Sequence, residues 1–332
     1  MANTYTERFP LLGPLTPGTT QRHEVRLPGA ALADDRWPVI SVTGAKPGPV
    51  LFVGAGVHGG EYPAIETVIR LAKTLDPATL TGAVVLMPVL NLPAFRARTP
   101  FVNPLDGVNP NRVFPGDPEG THSEQLVHAL THEFIAHADA YIDLHGGDIV
   151  EDLVPFSIVR RGGEPVDDAA MALAHAFGLP YLLAVDRPVQ AAKGVSSYVA
   201  AAAIGVPGLI AEAGGVGLLQ PEAVTLLTAG VYRVLVHLGM LAAADAAPAT
   251  PAPPVTVLKR FEWVYSTPGG MWYPTVAVND AVKEGQPVGT IGSLYGDMLE
   301  EVTAPVSGRI LFLTVNSSVA EHGLLLAVGA SE

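Results

Sequence analysis

Cysteine is absent from all 332 residues, which excludes disulfides, thiolate metal sites, iron–sulfur clusters and cysteine nucleophiles. His, Asp and Glu are left as the ordinary metal ligands. Cations are scarce as well: 19 Lys and Arg stand against 32 Asp and Glu, a formal charge of −13. Binding a phosphate backbone needs clustered cations, so no nucleic-acid partner is expected and the partner is read as a small molecule. Long apolar runs are missing too. The most hydrophobic late segment, Pro221 to Leu241, carries Glu222, Arg233 and His237 and reads as a buried helix, not a membrane span. The opening MANTYTERFPLLGP has no basic stretch followed by an apolar one, so a signal peptide is not expected and a cytoplasmic location, away from membranes, is the default. Neither a GxSxG elbow nor a Walker-type loop occurs, which argues against a serine hydrolase or a phosphate-binding fold.

Hydrophobic residues make up 48% of the chain, enough for about two domains at this length. Residues 242–254, AAADAAPATPAPP, are Ala and Pro with a single charge, a composition that favours extended chain and builds no core. The domain boundary is placed there, with a catalytic domain over 1–241 and a β-rich domain over 255–332. In the first part, short apolar runs read as buried strands: Val50 to Ala55, Ala83 to Val89, Ala140 to Leu144, Phe156 to Val159, Tyr181 to Val185 and Leu209 to Ala211. Helical patterns alternate with them at Glu61 to Leu75, Ser123 to His137, Asp167 to Phe177 and Ser197 to Ile204. Strands apolar on both faces, alternating with helices, predict an α/β domain with a largely parallel or mixed sheet, whose ligands gather at the carboxyl ends of its strands. The second part turns to short β runs, Trp272 to Val278, Val288 to Ile291 and Arg309 to Val315, separated by turn residues. Its turn glycines and Ala304-Pro305 resemble the barrel-sandwich hybrid of biotinyl and lipoyl domains. Asp297 stands where such a carrier has its modified lysine, so the resemblance implies a fold and no swinging arm.

Two motifs carry the chemistry. His58-Gly59-Gly60-Glu61 follows the first of these strands and opens a helix, a turn at which an imidazole and a carboxylate can converge on one metal while glycines admit a close backbone approach. His145 follows the strand Tyr141 to Leu144, so a shared sheet would put both motifs at one edge. Three protein ligands with an open position make a catalytic metal site. Either histidine alone reads equally as a hydrogen-bonded core residue; the HxxE spacing is weak until it is joined to the downstream DLHG. A rival HExxH-like stretch, His132-Glu133-Phe134-Ile135-Ala136-His137, spaces its histidines by five and cannot align them on a helix, and the correctly spaced His128 and His132 read as solvated.

In order, GVHGGE at 56–61, DGVNPNRVFPG at 106–116, DLHGG at 143–147 and EAGG at 212–215 resemble the succinylglutamate desuccinylase and aspartoacylase family of the zinc carboxypeptidase superfamily, over residues 48 to 240. The resemblance implies one zinc ion held by His58, Glu61 and His145, with Glu212 as general base for amide hydrolysis. It also implies that Asn111 and Arg112 hold the substrate carboxylate; a guanidinium beside an amide suits planar, bidentate recognition. The alternative for Arg112 is a loop pair with Asp106 or Asp117. Asp143, two residues before His145, could orient that ligand or be structural. Many relatives have an arginine upstream of the DG turn to polarise the carbonyl; Phe101 stands at that spacing here, with Arg96 and Arg98 nearby.

The leading expectation is a deacylase of small N-acyl amino acids or similar carboxylate-bearing amides. A carboxypeptidase-like hydrolase of peptide or murein fragments would use the same metal site. A reading from another class makes the chain a binding or assembly protein on a hydrolase scaffold, against which stands the retained Glu212. The β-rich domain could cover the mouth of the site or mediate homo-oligomer contacts.

Overall fold

The computed structural model describes residues 5–186, 194–246 and 252–331. Of the Ala/Pro linker expected at 242–254, residues 247–251 lie outside the described residues.

Ten strands belong to the first part of the chain and its immediate continuation: β1 (Thr19–Val25), β2 (Trp37–Thr43), β3 (Lys46–Ala55), β4 (Thr81–Met87), β5 (Ala140–His145), β6 (Glu151–Leu153), β7 (Phe156–Arg161), β8 (Tyr181–Asp186), β9 (Gly208–Glu212) and β10 (Thr256–Leu258). All but β6 form one nine-stranded sheet in the order β1-β2-β4-β3-β5-β9-β7-β8-β10. Its centre, β4-β3-β5-β9, is parallel. Antiparallel pairings join β2 to β4 and β7 to β9, so the sheet is mixed. Residues on both faces of the central strands are buried, from Val50 to Ala55 and from Ala140 to His145, because helices cover both sides.

The helices are α1 (Tyr62–Thr74), α2 (Leu92–Ala97), α3 (His122–Glu133), α4 (Pro165–Phe177), α5 (Ser197–Ala203) and α6 (Pro221–His237). Strand alternation sorts their contacts. Leu209, Ala211 and Val159 enter the main core with Phe177 of α4 and Leu227 of α6. Ile158 and Ile210 point to the other face and pack on Tyr198 and Val199 of α5. No described helix is long and apolar enough to cross a membrane. α3 starts cleanly, with Thr121 and Glu124 forming a capping box, and it stops at Glu133. His137 falls in a separate 3-10 turn, so the HExxH-like stretch is split between two elements.

The remaining strands are β11 (Arg260–Tyr265), β12 (Gly270–Pro274), β13 (Ala281–Val282), β14 (Pro287–Gly292), β15 (Met298–Thr303), β16 (Gly308–Thr314), β17 (Ser318–Val319) and β18 (Leu324–Ala330). They make two antiparallel sheets, β11-β18-β16-β13 and β15-β14-β12-β17. Trp272, Val288, Ile291, Leu326 and Val328 fill the space between them. Asp297 lies in the turn between β14 and β15, its N–H donating to Ser293 Oγ at 3.1 Å.

Strands cross the expected boundary in both directions. β10, beyond the linker, pairs in parallel with β8 at the edge of the large sheet. β6, which follows His145 by a short loop, pairs with β16 of the C-terminal sheet, setting Leu153 opposite Phe312. An apolar seam of Leu153, Phe156, Phe312 and Ala327, with Phe261 and Tyr181 against it, joins the two parts.

Candidate active site

Three parallel neighbours, β3, β5 and β9, bring the chemistry to one edge of the sheet. The turn after β3 carries His58, β5 ends on His145, and β9 ends on Glu212, which is in register with His145 on the adjacent strand. Paired residues on neighbouring strands project from the same face, with the strands about 4.8 Å apart, so Glu212 is adjacent to His145. This is the carboxyl edge where open α/β sheets place ligands.

Glu61 is the N-cap residue of α1, yet its carboxylate makes no cap bond. It turns to the histidines instead: Oε1 lies 2.8 Å from His58 Nδ1 and Oε2 lies 3.0 Å from His145 Nδ1. Among the described residues this trio is the group of three whose ligand atoms converge, all within 4.8 Å of one another. The two intervening glycines are forced by crowding. A Cβ on Gly59 would come within 2.2 Å of Phe95 N, and one on Gly60 within 2.1 Å of Asp148 Oδ1.

The far nitrogens of both rings are held. His58 Nε2 is 3.2 Å from Asn109 Oδ1, and His145 Nε2 is 3.0 Å from Asp143 Oδ2. Each ring therefore presents Nδ1 to the shared centre, the arrangement in which a partner on one nitrogen fixes the tautomer of the ligating other. Asp143 is tied in turn to Ser197 Oγ, which donates to its Oδ2.

The donor set fits a metal ion. Glu61 Oε2 is buried with only its ion-pair contact to His145 Nδ1 and no hydrogen bond, an expensive condition for a carboxylate unless a cation is to be supplied. Two imidazoles and one carboxylate leave a position open for substrate or water. Charges at the site follow this crowding. Burial by itself disfavours the His145 imidazolium, but the Asp143 and Glu61 carboxylates outweigh it and hold His145 well above the ordinary imidazole value. Burial likewise works against the Glu61 anion, and His145 and His58 overcome it and hold that carboxyl below its usual value. For Glu212, burial dominates; helped by the Glu61 and Asp143 charges against the opposing pull of His145 and Arg112, it pushes the carboxyl up to about 8.

The Asn109–Arg112 segment is presented by the turn at Asp106-Gly107. Asp106 accepts from Val108 N at 3.0 Å and from Ser123 N at 2.7 Å, fastening the turn to the start of α3. Asn111 is buried, its Oδ1 taken by Ser197 N at 2.9 Å, which leaves its amide N–H groups to offer. Arg112 is exposed, donates to Asn111 O at 2.9 Å and acts electrostatically on Glu212. No ion pair ties it to Asp106 or Asp117 among the described residues; Asp106 is committed to α3, and Asp117 accepts from Glu119 N at 3.0 Å.

Phe101 reaches the centre as an aromatic ring, edge-to-face with His58 at a centroid distance of 6.5 Å. Arg96 is engaged elsewhere, with Asp35, and Arg98 is exposed at the end of α2. The rings of His128 and His132 lie tilted against each other at 4.1 Å along α3, outside the trio. Sequence reasoning missed the contact roles of Asn109, Asp148 and Ser197. Asn109 stood inside a quoted motif, but its partner His58 is 51 positions away, and no local pattern announces such a pair.

Comparison with known proteins places the chain in a family. A model of the succinylglutamate desuccinylase/aspartoacylase catalytic domain matches residues 47–238. The N-alpha-acetyl-L-2,4-diaminobutyric acid deacetylase of Halomonas elongata is 31% identical over 277 residues, covering 81% of this chain and 77% of that protein. The product-bound ectoine utilization protein EutE (DoeB) of Ruegeria pomeroyi superposes with a TM-score of 0.84 at 23% identity, over 96% of this chain and 97% of that one. A succinylglutamate desuccinylase/aspartoacylase of Rhodobacter sphaeroides gives 0.80 at 26% identity, over 93% and 95% of the two chains. With more than half of its length matched by the family model and four-fifths of it aligned to a curated relative, the chain belongs to the succinylglutamate desuccinylase/aspartoacylase family.

Proposed function

We propose that the protein is a zinc-dependent hydrolase that removes the acyl group from a small N-acyl amino acid, releasing a carboxylic acid and an amine. The observation that carries this reading is Glu212 in register with His145, beside the converged His58, Glu61 and His145. The deacetylase activity in the name of the Halomonas elongata relative supports the reaction class.

His58, Glu61 and His145 would hold the zinc. When bound, zinc supplies the Lewis acidity that polarises a carbonyl and lowers the pKa of water to about 7. Glu212 takes a proton from the attacking water onto a carboxylate oxygen and returns it to the leaving nitrogen, a transfer worth about 10²–10⁴ in rate. Burial, which raises Glu212 toward 8, makes it a stronger base than a solvated carboxylate. Arg112 and the amide N–H groups of Asn111 hold the substrate carboxylate by planar, charge-assisted hydrogen bonds. Asn109 and Asp143 keep the two imidazoles turned with Nδ1 inward.

The test is a panel of N-acyl amino acids, including Nα-acetyl-2,4-diaminobutyrate, offered to the zinc-loaded protein beside a panel of dipeptides. Release of free acid with about one zinc per chain is expected, with both lost in His58→Ala. Glu212→Gln should keep its zinc and lose about 10²–10⁴ of kcat. Zinc content unchanged in His58→Ala overturns the metal site, and release of amino acids from the dipeptides alone replaces the deacylase with a peptidase.

A further inference from the structure

Phe101 has φ of 57°, a left-handed backbone conformation that only a few per cent of non-glycine residues adopt and that bulky side chains avoid. Strain of this kind persists where the surroundings impose it. Here they do so through Asp148, a buried carboxylate whose Oδ2 accepts Phe101 N–H at 2.7 Å while its Oδ1 accepts Ile149 N–H at 2.6 Å. The same Oδ1 lies so close to Gly60 that no Cβ could be placed there. Asp148 therefore locks the loop bearing Phe101 against the turn that carries His58 and Glu61. The half-buried ring is held edge-to-face with a metal ligand.

We infer that Phe101 selects the acyl group, favouring an uncharged one, such as acetyl, propionyl or butyryl, over an acyl group that ends in a carboxylate, such as succinyl. This rests on the deacylase reading and names its substrate class. The carboxylate fixed at the Phe101 backbone is that of Asp148, whose own electrostatic neighbours are Glu61 and His58. Arg96 on the preceding helix is already paired with Asp35, and Arg112 belongs to the Asn111 side, where the amino-acid carboxylate is to be held. A second carboxylate on the acyl tail would face a phenyl ring with a like charge held at its own backbone, an unpaired anion in a partly buried place. An uncharged acyl tail gains apolar contact there instead.

The experiment has two readouts. With zinc-loaded protein, kcat/KM is measured for N-acetyl, N-propionyl, N-butyryl and N-succinyl forms of one amino acid. Uncharged acyl groups should lead succinyl by at least about tenfold. Phe101→Leu should retain that lead, and Phe101→Gly, which the left-handed backbone accepts without strain, should shift the optimum towards longer acyl chains with zinc content unchanged. The second readout is the thermal shift produced by butyrate and by succinate, which differ in the far carboxylate: butyrate should stabilise the wild type more, and the gap should narrow in Phe101→Gly. Preference for succinyl, or an acyl profile and butyrate–succinate gap that Phe101→Gly leaves unmoved, overturns the inference. Failure to release acid from any substrate overturns the deacylase reading, and the thermal shifts still decide the role of Phe101.

Discussion

At the residue scale, the proposed metal ligands depend on groups that would never touch the metal. Asn109 stands 3.2 Å from His58 Nε2 and Asp143 stands 3.0 Å from His145 Nε2. Losing such a partner typically costs about 10–100-fold in metal affinity, because the ring is freed to rotate and to change tautomer. Asn109→Ala and Asp143→Asn should therefore retain the fold and bind zinc about 10–100-fold more weakly, by competition with a chelator of known affinity. Unchanged zinc affinity in both would reduce these contacts to packing. Activity restored by raised zinc in either variant would separate a positioning role from a role in the reaction itself. The convergence of His58, Glu61 and His145 was legible because HGGE and DLHG are short motifs at strand ends. Their orienting partners were not, since they come from distant stretches of chain or, for Asp143, depend on a side-chain geometry that strand spacing alone leaves open.

At the element scale, the sequence revealed what was long and apolar. The runs that became β3, β4, β5 and β9 were visible because both faces are buried and the residues are largely apolar, and those of β7 and β8 because each holds a short apolar run although one face of β8 is only half-buried. The N-terminal β1–β2 hairpin escaped notice: β1 reads Thr-Thr-Gln-Arg-His-Glu-Val and buries only its last residue fully, as expected for an edge strand with one wet face. β6 and β10, three residues each, are too short for any periodicity. Those two strands nevertheless decide how the parts of the chain are joined. β6 lies just beyond the loop that holds Asp148, and Val315 N–H donates to Val150 O at 2.9 Å, so the C-terminal sheet grips the wall of the site. Phe312, opposite Leu153 and almost wholly buried, is the side chain to remove. Phe312→Ala should cost about 3–5 kcal/mol in urea unfolding, a large share of the 5–15 kcal/mol or so that holds a domain folded. A loss below about 1 kcal/mol would mean that the seam collapses without a cavity.

At the scale of the whole molecule, the crowded carboxylates and imidazoles link folding to protons and to metal. Glu212 titrates near 8 in the fold against an ordinary value of 4.5; burial, partly offset by backbone N–H groups, also raises Asp148, and burial raises Glu151 well above its usual range. His145 is raised from 6.5. All four shifts have one sign: the folded chain binds protons more tightly than the unfolded chain. The His145 contribution is complete below about pH 6.5 and lost as pH rises through the folded value, while the raised carboxylates add a penalty that grows from about pH 4.5 to about pH 8. Glu61 runs the other way, and its contribution is lost only as pH falls below the ordinary carboxylate range. The metal-stripped protein should therefore melt at progressively lower temperature from about pH 5 to about pH 8. Zinc at the proposed site should reverse the slope, because its ligands must be deprotonated to bind it and its charge would replace the protons that Glu212 and His145 otherwise hold. Differential scanning calorimetry of chelator-treated and zinc-loaded protein across that range should give two curves that diverge as pH rises, the zinc-loaded one higher. Parallel curves, or a metal-stripped protein that gains stability with pH, would show that the site is not organised around a missing positive charge.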